Sequence, residues 1–181
     1  MQNAAERMQV LIEDLLTLSR ITTRAQPFVE VSLSQVTHEV LSDLEIRITQ
    51  SKARIEIGEL PIIKADPLQM RQLLQNLISN ALKFHDEKEP LLIRIYSKKI
   101  TNQQLNSEFC QIIVEDNGIG FDEKYLDRIF NVFQRLHGRT EYEGTGMGLA
   151  ICRKIVERHQ GSITAKSEPG KGALFIVTIR N

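Results

Sequence analysis

The feature that most limits what this 181-residue chain can fold into is a run of three alternating glycines, Gly144–Gly148 (GTGMG), directly before an amphipathic stretch. Glycines at the start of a helix expose backbone N–H groups, and the helix dipole favours an anion there. The chain contains no G-x-x-x-x-G-K-[ST] sequence, and a long polar loop rather than a strand precedes the glycines. The run therefore predicts a phosphate cradle that belongs neither to a P-loop fold nor to a Rossmann fold.

Charge and composition exclude several classes of protein. Lys and Arg number 23, as do Asp and Glu, so the formal net charge is zero; a general nucleic-acid binder needs clustered excess positive charge. Cys110 and Cys152 lie far apart without a C-x-x-C sequence, which predicts two buried thiols rather than a disulfide framework or a zinc site. No apolar run approaches the roughly 18 residues of a membrane span, and the first residues are too polar for a signal peptide. We expect a cytoplasmic module that contacts neither nucleic acid nor membrane.

The hydrophobic pattern divides the chain into two parts, residues 1–23 and residues 24–181. The first part has an apolar heptad stripe, which predicts a coiled-coil-type helix that needs a partner helix. The stripe consists of Ala5, Met8, Ile12, Leu15 and Ser19. Pro27 follows in a polar linker and prevents any continuation of the helix.

The second part alternates helical and strand-like patterns. Asp66 is expected to cap a helix that runs to about Phe84, because Pro67 suits the first helical position and Gln69 can complete a capping box. Gly161 is expected to end the last helix as its left-handed residue. Together, these elements predict an α+β fold, a two-layer sandwich in which three helices cover a mixed, mostly antiparallel sheet. The other expected elements are helices over about 31–48 and 146–159, and strands within 52–64 and over 90–100, 108–115, 162–166 and 173–179.

Three polar side chains share one stripe of the helix that Asp66 begins. Asn76, Asn80 and Lys83 fall at i, i+4 and i+7. Asn is a poor residue for a helix interior, because its side chain competes for backbone hydrogen bonds. Its carbonyl oxygen suits Mg²⁺, and a nearby Lys would meet phosphates that share the metal. The alternative interpretation is an ordinary solvated helix face.

A second candidate site is Asp116–Gly120 (DNGIG), directly after a β-rich run. A tight turn would explain the Asn-Gly pair. Alternatively, Asp116 at the strand end accepts a hydrogen bond from an exocyclic amine such as adenine N6, beside two glycines that let a planar ligand approach. Together, the three segments predict the sites that Mg-ATP needs: a metal site on the polar helix stripe, a base site at Asp116 and a phosphate site at Gly144–Gly148. Phosphoryl transfer requires little else from the protein than this positioning and charge neutralisation.

These segments resemble the catalytic ATP-binding module of sensor histidine kinases, in the superfamily shared with gyrase, Hsp90 and MutL. Leu73–Phe84 is similar to the N box, Asp116–Phe121 to the G1 box, Ile129–Leu136 to the F box and Gly144–Leu149 to the G2 box. Arg135–His137 is closest in style to phytochrome-like and hybrid kinases. The resemblance implies a Bergerat ATP-binding fold and transfer of the γ-phosphoryl group of Mg-ATP to a histidine on a partner dimerisation helix. It also implies a homodimer and a phosphorelay to the receiver domain of a response regulator.

The resemblance further implies roles for single residues. Asn80 would ligate Mg²⁺, and Asn76 would support the metal and the phosphates. Lys83 would contact phosphate oxygens, and Arg135 would reach the γ-phosphate when the lid closes. The residues implied to bind ATP are Asn76, Asn80, Lys83, Asp116, Gly118, Gly120, Phe121, Gly144, Thr145, Gly146, Met147, Gly148 and Leu149.

The histidines do not supply the family's phosphate acceptor. Residues 1–23 resemble the second half of the dimerisation and phosphotransfer hairpin, whereas the acceptor lies in an H-E-x-x-x-P box that this chain does not contain. His38 precedes a Glu but lacks the Arg and Pro of that box. His85 and His159 are expected to be surface residues near helix ends, and His137 is a candidate nucleotide contact in the lid.

Two aromatic residues and one departure from the family pattern bear on the lid and on the adenine site. Phe130 and Phe133 are expected to anchor the lid by packing. Ala173 and Leu174 stand where the family more often has Ser-Thr, which would weaken a contact near adenine. A nucleotide-dead dimerisation or scaffold module, or another ATPase of the superfamily, would also be compatible with parts of the sequence.

Overall fold

The computed structural model of the chain describes residues 3–136 and 144–180. Its helices are α1 (Ala4–Thr23), α2 (Leu33–Asp43), α3 (Glu45–Ser51), α4 (Pro67–Lys83), α5 (Leu126–Ile129), which follows a 3-10 turn at Glu123–Tyr125, and α6 (Gly148–Arg158). Its strands are β1 (Val29–Ser32), β2 (Arg54–Ile57), β3 (Ile62–Ala65), β4 (Leu92–Asn102), β5 (Ser107–Asp116), β6 (Ser162–Glu168) and β7 (Gly172–Arg180).

Five strands form one mixed sheet in the order β2-β4-β5-β7-β6. β2 runs parallel to β4, and the other three pairs are antiparallel. The sheet register places Ile95, Val114 and Phe175 on one buried face, together with Asp116 at the end of β5. Helices α4 and α6 pack on the sheet, and α2 packs against α4. The predicted α+β sandwich with a mostly antiparallel sheet is confirmed.

The region before α4 differs from the prediction in three respects, the first being that the single helix expected over about 31–48 is two helices, α2 and α3, divided at Leu44. Residues 29–32 form strand β1, so the helix expected from about Val31 begins later, because the alternating Val-Glu-Val-Ser sequence pairs antiparallel with β3 and buries Val31 opposite Ile63. Helix α2 begins only after Ser32, whose hydroxyl accepts the N–H of Gln35. Strands β2 and β3 both exist as expected, but they belong to different sheets.

The start of α4 has the predicted cap but not the predicted capping box. The Asp66 carboxylate accepts the N–H groups of Leu68 and Gln69. The Gln69 side chain, however, donates to the Ile21 carbonyl at 2.8 Å, and the Asp66 N–H is bound by the His159 ring. The reciprocal bond of the box is therefore replaced by contacts with α1 and α6.

The prediction that Gly161 is the left-handed residue after α6 is wrong. Gln160 has that conformation, with φ 54°, and the N–H of Gly161 closes the helix on the Val156 carbonyl. A Cβ at position 161 would lie 2.1 Å from the Thr178 carbonyl oxygen. Glycine is required here by close packing against β7.

Helix α1 begins with a capping box formed by Asn3 and Glu6. Ile21 is buried near the C-terminal end of α1, while Met8, Ile12, Leu15 and Leu16 are exposed. The helix packs along α6. Among the described residues, no helix combines the length and the apolar character that a membrane crossing requires.

Candidate functional site

The polar stripe of α4 lies against the start of α6. The opposite side of α4 is buried in the core, and Asn76, Asn80 and Lys83 are half-buried. The Asn76 side-chain amide donates to the Gly148 carbonyl oxygen at 3.1 Å. This bond joins the predicted N-box and G2-box segments, which are 72 residues apart.

Lys83 lies beside the first glycine of the Gly144–Gly148 segment. A Cβ at Gly144, whose φ is 133°, would lie 2.4 Å from the Lys83 ammonium nitrogen. The ammonium also lies 4.5 Å from the centroid of the Phe84 ring. The absence of a side chain at Gly144 therefore provides the space in which the Lys83 ammonium group lies.

A second cation reaches the same glycine. The Arg135 guanidinium donates to the Gly144 carbonyl oxygen at 2.5 Å. At Gly146, with φ 76°, a Cβ would lie 2.9 Å from the Gln134 carbonyl oxygen. The end of the predicted F box thus packs on the glycine segment, and Lys83 and Arg135 place two cationic side chains beside Gly144.

The other residues of the glycine segment differ in exposure. The Thr145 hydroxyl donates to the carboxylate of Asp14 on α1. Met147 is 0% exposed, so its side chain belongs to the core, and Leu149 packs half-buried against the core. His137, the candidate nucleotide contact of the lid, lies outside the described residues.

Asp116 ends strand β5 on the helix-covered face of the sheet, opposite Ala173. Its Oδ1 accepts the N–H of Gly118 at 2.8 Å. Burial raises the pKa of Asp116 to about 6, while the N–H groups of Gly118 and Ala173 oppose this rise by stabilising the carboxylate. The side chain is thus ionised at neutral pH but titrates unusually close to it.

Internal packing accounts for both glycines of the G1 segment. A Cβ at Gly118 would lie 2.1 Å from the Phe84 carbonyl oxygen. Gly120 has φ 62°, and its Cβ would lie 2.3 Å from the Glu168 carbonyl oxygen. Ile119 donates to the Phe84 carbonyl. The segment is therefore held between the end of α4 and the β6–β7 turn, which orients the neighbouring Asp116.

Two of the three aromatic residues singled out from the sequence pack on Phe175. The Phe121 ring lies 6.2 Å from it, and the buried Phe130 ring lies 6.3 Å from it, edge to face. Phe133, which was also expected to anchor the lid by packing, is 53% exposed with φ 62° and is not part of the buried core. Of the two residues expected to anchor the lid, Phe130 is the one buried in the described core.

Sequence reasoning missed a buried polar junction around His159. The residue was expected at the surface, but it is 4% exposed and stacks on Phe28 with 4.5 Å between ring centroids. Its Nε2 accepts the N–H of Asp66 at 3.1 Å, and its Nδ1 lies 2.7 Å from the Ile155 carbonyl oxygen. Burial lowers the pKa of His159. Phe28, an aromatic residue directly after the linker proline, was the available signal.

The described residues contain no group of three His, Cys, Asp or Glu side chains that could hold a metal ion. The side chain of Asn80 forms no hydrogen bond with another described residue. A single free amide oxygen suits Mg²⁺, which commonly keeps several waters and shares the phosphates of its substrate. Asn80 therefore fits a metal that arrives with a nucleotide.

Comparison with known proteins is consistent with this geometry. Residues 65–181 match the family described as histidine kinase-, DNA gyrase B-, and HSP90-like ATPase. The chain is 43% identical to the phytochrome-like protein Cph1 of Synechocystis sp. and 45% identical to cyanobacterial phytochrome A of Nostoc sp., covering 95% of this chain and 22% of each relative. It thus spans about a fifth of the length of these relatives, and the expected similarity to phytochrome-like proteins is confirmed.

Solved structures show the same fold. Full-length ShkA, crystallised with AMPPNP, has a TM-score of 0.77 and 25% identity, over 95% of this chain and 35% of its own. The catalytic domain of the histidine kinase ThkA has a TM-score of 0.70 and 28% identity, over 86% of this chain and 96% of its own. The chain therefore belongs to the family of ATPases that histidine kinases share with DNA gyrase B and HSP90.

Proposed function

We propose that residues 24–181 are the catalytic ATP-binding module of a cytoplasmic sensor histidine kinase, and that residues 1–23 are the second half of its dimerisation and phosphotransfer hairpin. The module binds Mg-ATP and transfers the γ-phosphoryl group to a histidine on a dimerisation helix of the same or a second protomer. A response-regulator aspartate then receives the phosphoryl group. The observation that carries the proposal is the Asn76–Gly148 hydrogen bond, which sets the Asn/Lys stripe of α4 against the glycine segment.

The phosphates are bound between this stripe and the start of α6. Within the described residues, no side chain caps the N-terminus of α6, so its first N–H groups remain available to an anion. The cations Lys83 and Arg135 both lie beside Gly144. Mg²⁺, held by Asn80 and the phosphates, would neutralise further negative charge.

The base is recognised by Asp116. A carboxylate accepts several hydrogen bonds, so the adenine N6 amine adds to the backbone donors already present. Asp116 is ionised at pH 7 to 8, because burial raises its pKa only to about 6. Gly118 and Gly120 contribute by fixing the loop that orients this carboxylate.

The chemical step is an in-line displacement at the γ-phosphorus. An imidazole nitrogen of the acceptor forms the new P–N bond while the bond to the β–γ bridging oxygen breaks and ADP leaves. Lys83 and Arg135 stabilise the charge that develops on the phosphate oxygens. The chain lacks the H-E-x-x-x-P box that carries the acceptor in the resembled family, so we place the acceptor on a partner helix.

Calorimetric titration with ATP, with and without Mg²⁺, tests the proposal. We expect saturable, Mg²⁺-dependent binding that Asp116→Asn abolishes. Glu115→Gln is the matched control, since its side chain lies one position away on the other face of the sheet and contacts Tyr96. Absence of binding by the parent chain would favour a scaffold module, and rapid ATP hydrolysis without an acceptor would favour another ATPase of the superfamily.

Phosphoryl transfer is tested separately with γ-labelled ATP and an acceptor helix supplied in trans. We expect label on the acceptor helix and none on the chain alone. Label on any of the four histidines of this chain would contradict the assignment of the acceptor to a partner.

A further inference from the structure

Helix α1 contacts the glycine segment directly. The Thr145 hydroxyl donates to the carboxylate of Asp14, which lies 131 residues earlier, in the middle of α1. Both side chains are half-buried. A residue of the dimerisation helix is therefore bonded to the segment to which we assign phosphate binding.

A buried polar network fixes the C-terminal end of the same helix. Gln69 donates to the Ile21 carbonyl at 2.8 Å, and the N–H of Gln26 donates to Asp66 at 2.8 Å. Arg158 donates to the Gln26 carbonyl at 2.7 Å and pairs with Asp66 at 3.1 Å. Asp66 is 1% exposed. The linker after α1 is thus tied to the start of α4 and the end of α6.

These contacts attach α1 near both ends of α6. Thr145 lies three positions before the first residue of α6, and Arg158 is its last residue, so an 11-residue helix of about 16 Å separates the two attachments. Since α1 packs along α6 between them, we expect a displacement of α1 to be transmitted to the glycine segment. The contact with Asp14 is the point of transmission.

We propose that Asp14 restrains the glycine segment, so that nucleotide affinity depends on whether α1 is docked. This inference rests on the proposed function of that segment. In the docked state the Thr145 hydroxyl is engaged by Asp14 and is not free to donate to a phosphate. The carboxylate also places negative charge beside the binding position of a polyanion. Coupling between two binding events is reciprocal, so bound ATP disfavours docking of α1.

Substitutions of Asp14 test the restraint by calorimetry with Mg-ATP. Asp14→Ala removes both the acceptor and the charge, and we expect about threefold to tenfold tighter binding, the range of one hydrogen bond. Asp14→Asn keeps an acceptor oxygen and is expected to fall between the parent and Asp14→Ala. Glu13→Gln is the matched control, because it removes one charge from the same helix at a side chain that contacts Gln9 instead. ATP binding by Asp14→Ala that is no tighter than that of the parent would overturn the proposal.

A double-mutant cycle with Thr145→Val tests the pair itself. If Asp14 acts through Thr145, Asp14→Ala gives a smaller gain in ATP affinity in the Thr145→Val chain, where only the removal of the negative charge remains. An equal gain in affinity in both backgrounds would show that Asp14 acts elsewhere, and would overturn the assigned contact.

Amide hydrogen exchange without nucleotide separates this inference from the proposed function. Faster exchange of the backbone at 144–150 is expected in Asp14→Ala and not in Glu13→Gln. Unchanged exchange in Asp14→Ala would refute the restraint, whether or not the chain binds ATP. If neither chain binds ATP, the proposed function fails and the regulation of affinity fails with it, while faster exchange would still establish the contact.

Discussion

The Nε2 of His159 accepts the backbone N–H of Asp66 at 3.1 Å, and this bond joins the end of α6 to the start of α4. The other ring nitrogen must then carry the proton that is donated to the Ile155 carbonyl oxygen. A doubly protonated ring would leave the Asp66 N–H without an acceptor. The junction that holds the linker after α1 therefore requires a neutral imidazole.

We predict that His159 makes the folded state less stable as the pH falls below about 6.5. Burial lowers the pKa of His159 in the folded chain from its ordinary value of 6.5, so the unfolded chain binds the proton first. Its contribution to stability is present above that pH and declines below it. Urea unfolding between pH 7.5 and 5.5 should show the parent losing stability relative to His159→Gln as the pH falls, since the opposite contribution of Asp116 is present in both chains and cancels in this comparison. Identical slopes in both chains would contradict the prediction.

Asp116→Asn should stabilise the chain at pH 7.5 even as it abolishes ATP binding. Burial raises the folded-state pKa of Asp116 from 3.8 to about 6, so the ionised side chain destabilises the fold fully above pH 6 and not below pH 3.8. We expect a gain of about 1–2 kcal/mol in the free energy of unfolding, less than the pKa shift alone implies because the amide accepts fewer hydrogen bonds.

Urea unfolding at pH 7.5 and at pH 4.5 measures this gain. The difference between Asp116→Asn and the parent should shrink at the lower pH, where the parent carboxyl is largely protonated in the folded chain. Glu115→Gln should show no comparable gain. A variant that is less stable than the parent at pH 7.5 would mean that the hydrogen bonds to the carboxylate outweigh the cost of burying its charge.

Gly118→Ala should be strongly destabilising. The added Cβ would lie 2.1 Å from the Phe84 carbonyl oxygen, so the backbone of the G1 segment or of the α4 C-terminus must move. We expect a loss of about 3 kcal/mol or more in the free energy of unfolding. Gly170→Ala is the control: it has φ 80° but no atom within 4 Å of its Cβ, and strain alone should cost about 1–2 kcal/mol. Equal losses would show that the contact with Phe84 is relieved cheaply.

A structural feature was predictable from the sequence where the residues that cause it are close together in the chain. The start of α4 was predictable because its two correct signals, the Asp66 cap and Pro67 at the first helical position, are adjacent in the sequence. The burial of His159 was not, because it depends on Phe28 and Asp66, which are 131 and 93 positions away. Strand β1 was missed for the same reason, since its partner β3 begins 30 residues after Ser32.

Within the candidate site, the residue types were predictable but several of their reasons were not. Gly118 was expected to admit a ligand, whereas its Cβ would clash with a carbonyl of the protein itself. Met147 was expected to touch nucleotide, whereas its side chain is buried in the core, and only its backbone remains available. A glycine pattern indicates that some group lies close to the glycine backbone. Whether that group is a ligand or another part of the protein depends on the tertiary structure.

The last prediction separates two asparagines that lie one turn apart on α4. Asn76→Asp replaces the donor to the Gly148 carbonyl with an acceptor, so we expect a loss of about 1–3 kcal/mol in stability and of ATP binding, as the start of α6 separates from α4. Asn80→Ala removes a side chain that bonds to no other described residue. It should therefore keep the stability of the parent and lose only the Mg²⁺ dependence of ATP affinity. Urea unfolding and calorimetry on both variants measure the two effects, and Mg²⁺ dependence that persists in Asn80→Ala would exclude this residue as the metal ligand.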